Sequence, residues 1–247
     1  MSEFAKAETV RILRQRIENV AAPACEKKWA TVRSGLNALD QALPRGGFRR
    51  GSIVEWVGEE TAGTGTLALL SARSVCREEG HLPKRLVIVD DFGDLYPPVI
   101  PQFFSSIGSV VLIRTKSNGP RMSREAIWAM EESLRCPAVG AVWARIGFDL
   151  PDQTWRRLTL AAESGGSVGM FVRPENAMQS TAWSDVRIAV EPRAMAGARF
   201  NLRRMKLSLL RCRGSFPGIN FEVLFDVATF GMSAAELADS AYSTRLA

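Results

Sequence analysis

Two periodicities alternate along this chain. In residues 3–20 the apolar residues Val10, Leu13, Ile17 and Val20 recur at spacings of three and four, which predicts a helix with a narrow apolar stripe. Arg11, Arg14 and Arg16 lie off the stripe, and Pro23 ends the segment. A stripe this narrow suits docking onto another surface; packing on the chain's own domain is the other reading. A short periodic helix, Ser34–Asp40, then closes at Pro44-Arg45-Gly46-Gly47.

From there strands and helices take turns. The strand Ile53–Val57 leads through a small-residue loop, Gly58–Gly65, into a helix over Thr66–Glu79. Strands Leu86–Val89 and Val110–Ile113 follow, then a helix to Leu134 that opens on Ser123 as its N-cap. Strand Val139–Trp143, helix Gln153–Ser164 and strand Val168–Val172 complete the series. Such alternation predicts an α/β fold: a mostly parallel twisted sheet flanked by helices on both faces. Val186–Val190, Met205–Arg211 and Phe221–Phe225 are joined by short turns and predict an antiparallel C-terminal extension. Ser233-Ala234-Ala235-Glu236 matches a capping box and predicts a last short helix over 234–241. The expected division is an N-terminal helix and linker (1–30), a main domain (31–231) and a short helix with its tail (232–247).

Composition narrows the function classes. At 247 residues and 46% apolar content the chain can bury one large core. No stretch reaches the roughly 18 consecutive apolar residues of a membrane span, and the N-terminus has no signal-peptide core. A cytoplasmic protein is expected, with nucleoid association open. The four cysteines (Cys25, Cys76, Cys136 and Cys212) form no C-x-x-C pair, and His81 is the only histidine. No metal site is expected, and the cysteines read as reduced and buried. The net charge of +6 suits anionic partners without proving one.

The loop between the first main strand and its helix carries the chemistry. Gly58 and Gly63 have the spacing of the G-x-x-x-x-G-K-[ST] phosphate loop, in the right strand–loop–helix context. The lysine position is Thr64 and the hydroxyl position is Gly65, with Thr66 one residue late. Threonine cannot supply charge to the β- and γ-phosphates, and glycine offers magnesium nothing. Glu59 and Glu60 add negative charge. The loop therefore reads as retained for its turn geometry; its amides leave weak ATP binding open, and no resident cofactor is expected. The strand that should carry a metal-orienting acid ends in Ala144-Arg145. Asp90 and Asp91 stand at a strand end, either as a general base in an active enzyme or as polar residues closing the strand.

Basic residues concentrate late in the chain, at Arg193, Arg199, Arg203, Arg204, Lys206, Arg211 and Arg213, with almost no acid between them. Strand alternation puts Arg204 and Lys206 on one face and lets Arg211 and Arg213 continue the face of Met205, Leu207 and Leu209. Arg203, Arg204, Lys206, Arg211 and Arg213 are the candidate contacts to DNA phosphates or an acidic protein surface. A solvated strand edge protected by charge is the plainer alternative.

The order of segments resembles the RecA/RadA superfamily. Ser34-Gly35-Leu36-Asn37-Ala38-Leu39-Asp40, then Leu43-Pro44-Arg45-Gly46-Gly47 and Arg50-Gly51-Ser52-Ile53-Val54-Glu55, looks like its (T/S)G-x-x-x-LD segment, Gly-rich turn and "RG" before the phosphate-loop strand. Arg85–Asp91 resembles the strand that ends at the catalytic acid in RecA. Ser180–Ile188 resembles the return after RecA's second DNA-binding loop. Within the superfamily the chain resembles the ImuA family, also called SulA-like, through its eroded loop and the basic hairpin Arg211–Gly218. That resemblance implies damage-induced (SOS) mutagenic translesion synthesis, with an ImuB-like Y-family protein, an error-prone replicative-type polymerase and RecA as partners. The expectation is a non-hydrolysing RecA-fold accessory protein; a DNA-stimulated ATPase and a SulA-like division inhibitor are the alternatives. RecA's two DNA loops would fall near Arg145–Asp152 and Arg173–Ser180, and neither stretch is notably basic.

Overall fold

A computed structural model describes residues 30–77, 83–104, 107–117, 119, 121–181, 183–194, 201–214, 218–229 and 231–234. The stripe Val10, Leu13, Ile17, Val20 lies outside the described residues, as do His81, Cys25 and most of the expected last helix.

In chain order the elements are β1 (Thr31–Val32), α1 (Asn37–Ala42), β2 (Phe48–Arg49), β3 (Ile53–Gly58), α2 (Thr64–Cys76), β4 (Arg85–Asp90), α3 (Ile100–Phe103), β5 (Val110–Arg114), α4 (Arg124–Arg135), β6 (Val139–Arg145), α5 (Asp152–Gly165), β7 (Val168–Arg173), β8 (Val186–Arg193), β9 (Leu202–Cys212), β10 (Ile219–Asp226) and β11 (Gly231–Ala234). Nine strands form one sheet in the order β11-β10-β9-β8-β3-β7-β6-β4-β5, and β1 pairs with β2 apart from it. β3 lies centrally, parallel to β7 on one side and β8 on the other. The RecA-like, mostly parallel sheet with antiparallel C-terminal strands is the architecture present.

Burial on both faces explains the apolar runs. All six residues of β3 are buried. One face packs under α1 and α2 through Val54, Trp56, Leu67 and Leu70. The other packs under α4 and α5 through Ile53, Met130, Leu134 and Phe171. Ser123 caps α4 as its sequence predicts, its hydroxyl accepting from the Ala126 amide at 3.1 Å.

Four expectations need correction. β8 is parallel to β3, so the antiparallel extension begins with β9; the parallel partner is reached by the crossover 174–185, which sequence periodicity does not distinguish from a short turn. α2 starts at Thr64, two residues before the expected Thr66, because Gly63 takes the left-handed N-cap conformation (φ 76°) that lets the helix begin there. Ser233 and Ala234 pair with Leu224 and Val223 in β11, so the capping-box serine and the first expected helical residue lie in a strand, and the sheet runs past residue 231. Cys136, expected to be buried, is exposed in the turn after α4, while Cys76 and Cys212 are buried; all three are free thiols. Burial pushes the Cys76 thiol up to about 12 and the Cys212 thiol up to about 11, which keeps both protonated at neutral pH.

Candidate functional site

The phosphate-type loop is built at the C-terminal end of β3. Gly58 ends the strand, and a Cβ on it would stand 2.6 Å from both the Thr64 Oγ1 and the Val190 carbonyl oxygen. Glycine is therefore required by close approach, not only by turn shape. Glu59–Gly63 turn, closed by the Ala62 amide on the Glu59 carbonyl at 3.1 Å, and the Leu67 amide donates to Gly63 at 3.0 Å as α2 begins.

Thr64, at the lysine position, is 1% exposed, and its hydroxyl faces the loop's own Glu59 carbonyl at 3.5 Å. Gly65, at the hydroxyl position, lies against Trp143 of β6: a Cβ there would be 3.6 Å from the indole Cζ2. Trp143 is 6% exposed and its indole N–H has no partner among the described residues. At the end of the same strand Arg145 reaches across the mouth and pairs with Glu60 of the loop and with Asp94. The polarity of a phosphate site is thus inverted: the loop presents a carboxylate, and the acid-bearing strand presents a guanidinium.

Asp90 and Asp91 are engaged by the end of β5 and by neighbouring loops. Asp90 is 2% exposed, accepts from Arg114 Nε at 3.2 Å and from the Gly93 amide at 3.0 Å. Asp91 accepts from the Thr115 hydroxyl at 2.6 Å, the Ser123 amide at 2.7 Å and the Ser123 hydroxyl at 2.6 Å. Among the described residues no group of three or more His, Cys, Asp or Glu side chains is arranged to hold a metal ion. No helix among those residues is long and apolar enough to cross a membrane.

The basic stripe on β9 is interleaved with acid from its neighbours. Lys206 lies between Glu191 on β8 and Glu222 on β10 in the strand register. Lys206 pairs with Glu191 at 3.9 Å, Arg204 with Glu222 at 3.7 Å, and Arg193 with Glu191 at 3.1 Å. Arg213, 72% exposed, pairs with Asp185 at 3.5 Å. The expectation that Arg211 and Arg213 extend the face of Met205, Leu207 and Leu209 does not hold. A bulge sets Arg187 opposite Arg211 but Ile188 opposite Leu209, so Cys212 takes the inward position and Leu210 and Arg211 are exposed. Arg203 lies two residues along β9 from Met205, whose sulfur stands 3.4 Å from a Cβ built on Gly63. The five cations therefore do not form one patch.

A buried polar network beneath the crossover 174–185 escaped the sequence reading. Glu55, on β3, is fully buried and holds two arginines that are nearly as buried: Arg173 donates to it at 3.0 Å and Arg187 at 2.8 Å. The Ser184 hydroxyl adds a third bond at 2.6 Å. Arg187 also donates to the carbonyls of Ala177 and Ser180 at 3.2 and 2.8 Å, and Arg173 pairs with Asp149. Burial by itself would raise the Glu55 pKa; the hydrogen bonds from Arg187 and Ser184, the Arg187 charge and the Arg173 bond together hold it below its ordinary value. The crossover is thus tied to the sheet at several points. A glutamate inside an apolar strand run was the one signal available.

No known protein-family model matches the chain. It is similar to protein RecA of Limosilactobacillus reuteri (strain DSM 20016), 46% identical over 57 residues, which is 23% of this chain and 16% of that protein. Protein RecA of Bacillus thuringiensis (strain Al Hakam) is 46% identical over 56 residues, again 16% of its length. The match thus spans under a fifth of these relatives. That short similarity, together with the sheet, supports a RecA-like relationship for this chain.

Proposed function

We propose that this chain is a RecA-fold accessory protein that does not hydrolyse ATP and acts as an assembly factor in DNA-damage-induced mutagenic translesion synthesis. The observation that carries the first half is the loop: Thr64 is buried where a lysine should extend, and Arg145 is paired with Glu60 across the mouth. These residues do not fit a magnesium nucleotide. The hydroxyl ligand is replaced by Gly65 packed on Trp143, and the orienting acid is replaced by Ala144 and Arg145. Asp90 and Asp91 serve to position loops rather than a water.

The second half rests on the ImuA-family resemblance and on the similarity to RecA. Its partners are an ImuB-like Y-family protein, an error-prone replicative-type polymerase and RecA, in the cytoplasm. Docking is supported by large apolar side chains left exposed, Tyr96 at 70%, Trp128 at 63% and Phe148 at 52% among them. DNA contact by the β9 cations is secondary, since Glu191 and Glu222 already engage that stripe. The test is co-elution of the full chain with the purified Y-family-like protein and polymerase, with and without ATP. The expected result is a nucleotide-independent complex that is weakened when residues 1–20 are removed. No complex under either condition, or filamentous growth on overexpression, counts against the assembly role.

A further inference from the structure

Described residues between β5 and α4, together with the first turn of α4, line an open pocket of about 510 Å³, among them Lys116, Arg121, Met122, Arg124 and Glu125. Lys116, Arg121 and Arg124 are all exposed, and none of them is ion-paired with a described residue. The preceding cation, Arg114, is already held by Asp90. Asp91 does not line the pocket: it is 4% exposed, with its oxygens taken by Thr115 and Ser123. The outward field is therefore set by three cations against one exposed carboxylate, Glu125. The positive end of α4 adds to it.

Trp128 stands one helical turn beyond Arg124, on the same side of α4, and is 63% exposed. We propose that this pocket and Trp128 together bind an acidic segment of a partner protein, its carboxylates on Lys116, Arg121 and Arg124 and a neighbouring apolar side chain on the indole. The inference deepens the assembly reading above and rests on it. A nucleic-acid strand would also meet cations and an aromatic ring, but it needs a basic track that continues. Here the track stops: the next cation along the helix, Arg135, is taken by Glu131 and Glu132 at 2.6 and 2.7 Å. Glu132 lies one turn past Trp128, where a phosphate backbone would be repelled. A short acidic stretch followed by an apolar residue meets no such repulsion.

The test is fluorescence anisotropy on the full chain with a labelled peptide of about twelve residues, an Asp/Glu cluster followed by Leu and Phe. An oligothymidylate of equal charge is the second probe. The expected result is saturable peptide binding that weakens about tenfold or more in Arg121→Glu/Arg124→Glu, and several-fold in Trp128→Ala. Both substitutions are at exposed positions, and an unchanged thermal melt confirms that the fold is kept. Peptide affinity unaffected by charge reversal overturns the proposal. Tighter binding of the oligonucleotide, lost in the same variants, also overturns it and assigns the pocket to nucleic acid. The readout needs neither ATP nor the Y-family-like protein, so loss of peptide binding with the complex intact is distinguishable from loss of the complex with peptide binding intact.

Discussion

Glu55→Gln is expected to destabilise the fold by about 3–5 kcal/mol, because it leaves Arg173 and Arg187 buried without their shared counter-charge. Both guanidiniums are 2–4% exposed and converge on a fully buried carboxylate. Losing the negative charge also weakens the hold on the crossover, since Arg187 ties Ala177 and Ser180 to the sheet only while it is fixed at its other end. Urea unfolding at neutral pH measures the loss. The same network sets an acid limit. The Glu55 carboxyl lies below its ordinary value of 4.5 when folded. Protonation therefore favours the unfolded chain, and the stabilisation is complete above that value and is lost as pH falls through the folded one. The parent protein should lose stability in acid through this component, and Glu55→Gln should lack it. A variant with unchanged stability and an identical acid profile would contradict the network's role.

Trp155→Ala is the other large effect, about 3–5 kcal/mol for emptying a buried aromatic site. The indole is 2% exposed, lies 5.9 Å from the Phe171 ring at a tilt of 54°, and carries the Arg173 guanidinium 5.6 Å from its centroid. It thus joins the apolar layer under α4 and α5 to the buried ion network. A double-mutant cycle with Arg173→Met should show a coupling of about 0.5–2 kcal/mol. Strict additivity would mean that the ring and the guanidinium stand near each other without interacting.

The parallel sheet was legible because its strands are near-continuous apolar runs and its helices carry three-and-four spacing. Ser123 announced its own cap. The loop was legible too, since Gly58 and Gly63 are required by backbone geometry whatever the chemistry. What the linear sequence hid was set by strand register. The acid that engages the β9 cations comes from Glu191 and Glu222 on adjacent strands. The bulge opposite Arg187 turned Arg211 away from the face that simple alternation gave it. Ser233 satisfied a local rule for a helix but gained more as a strand residue beside Leu224. Arg145 looked like a missing acid, and only the fold shows it turned onto Glu60. The cluster of Glu55, Arg173 and Arg187 spans 132 positions in sequence and meets only because β7 and β8 both flank β3.

A RecA-like fold whose phosphate-type loop is blocked by Thr64, Trp143 and the Arg145–Glu60 pair is tested by steady-state magnesium-ATP turnover in the presence of single-stranded DNA. It should be measured on the parent chain and on Thr64→Lys/Gly65→Ser, which restores the loop's two missing groups. Background turnover is expected for both, because Trp143 and the Arg145–Glu60 pair remain in place. DNA-stimulated turnover by the parent chain, abolished by Asp91→Asn, would contradict it.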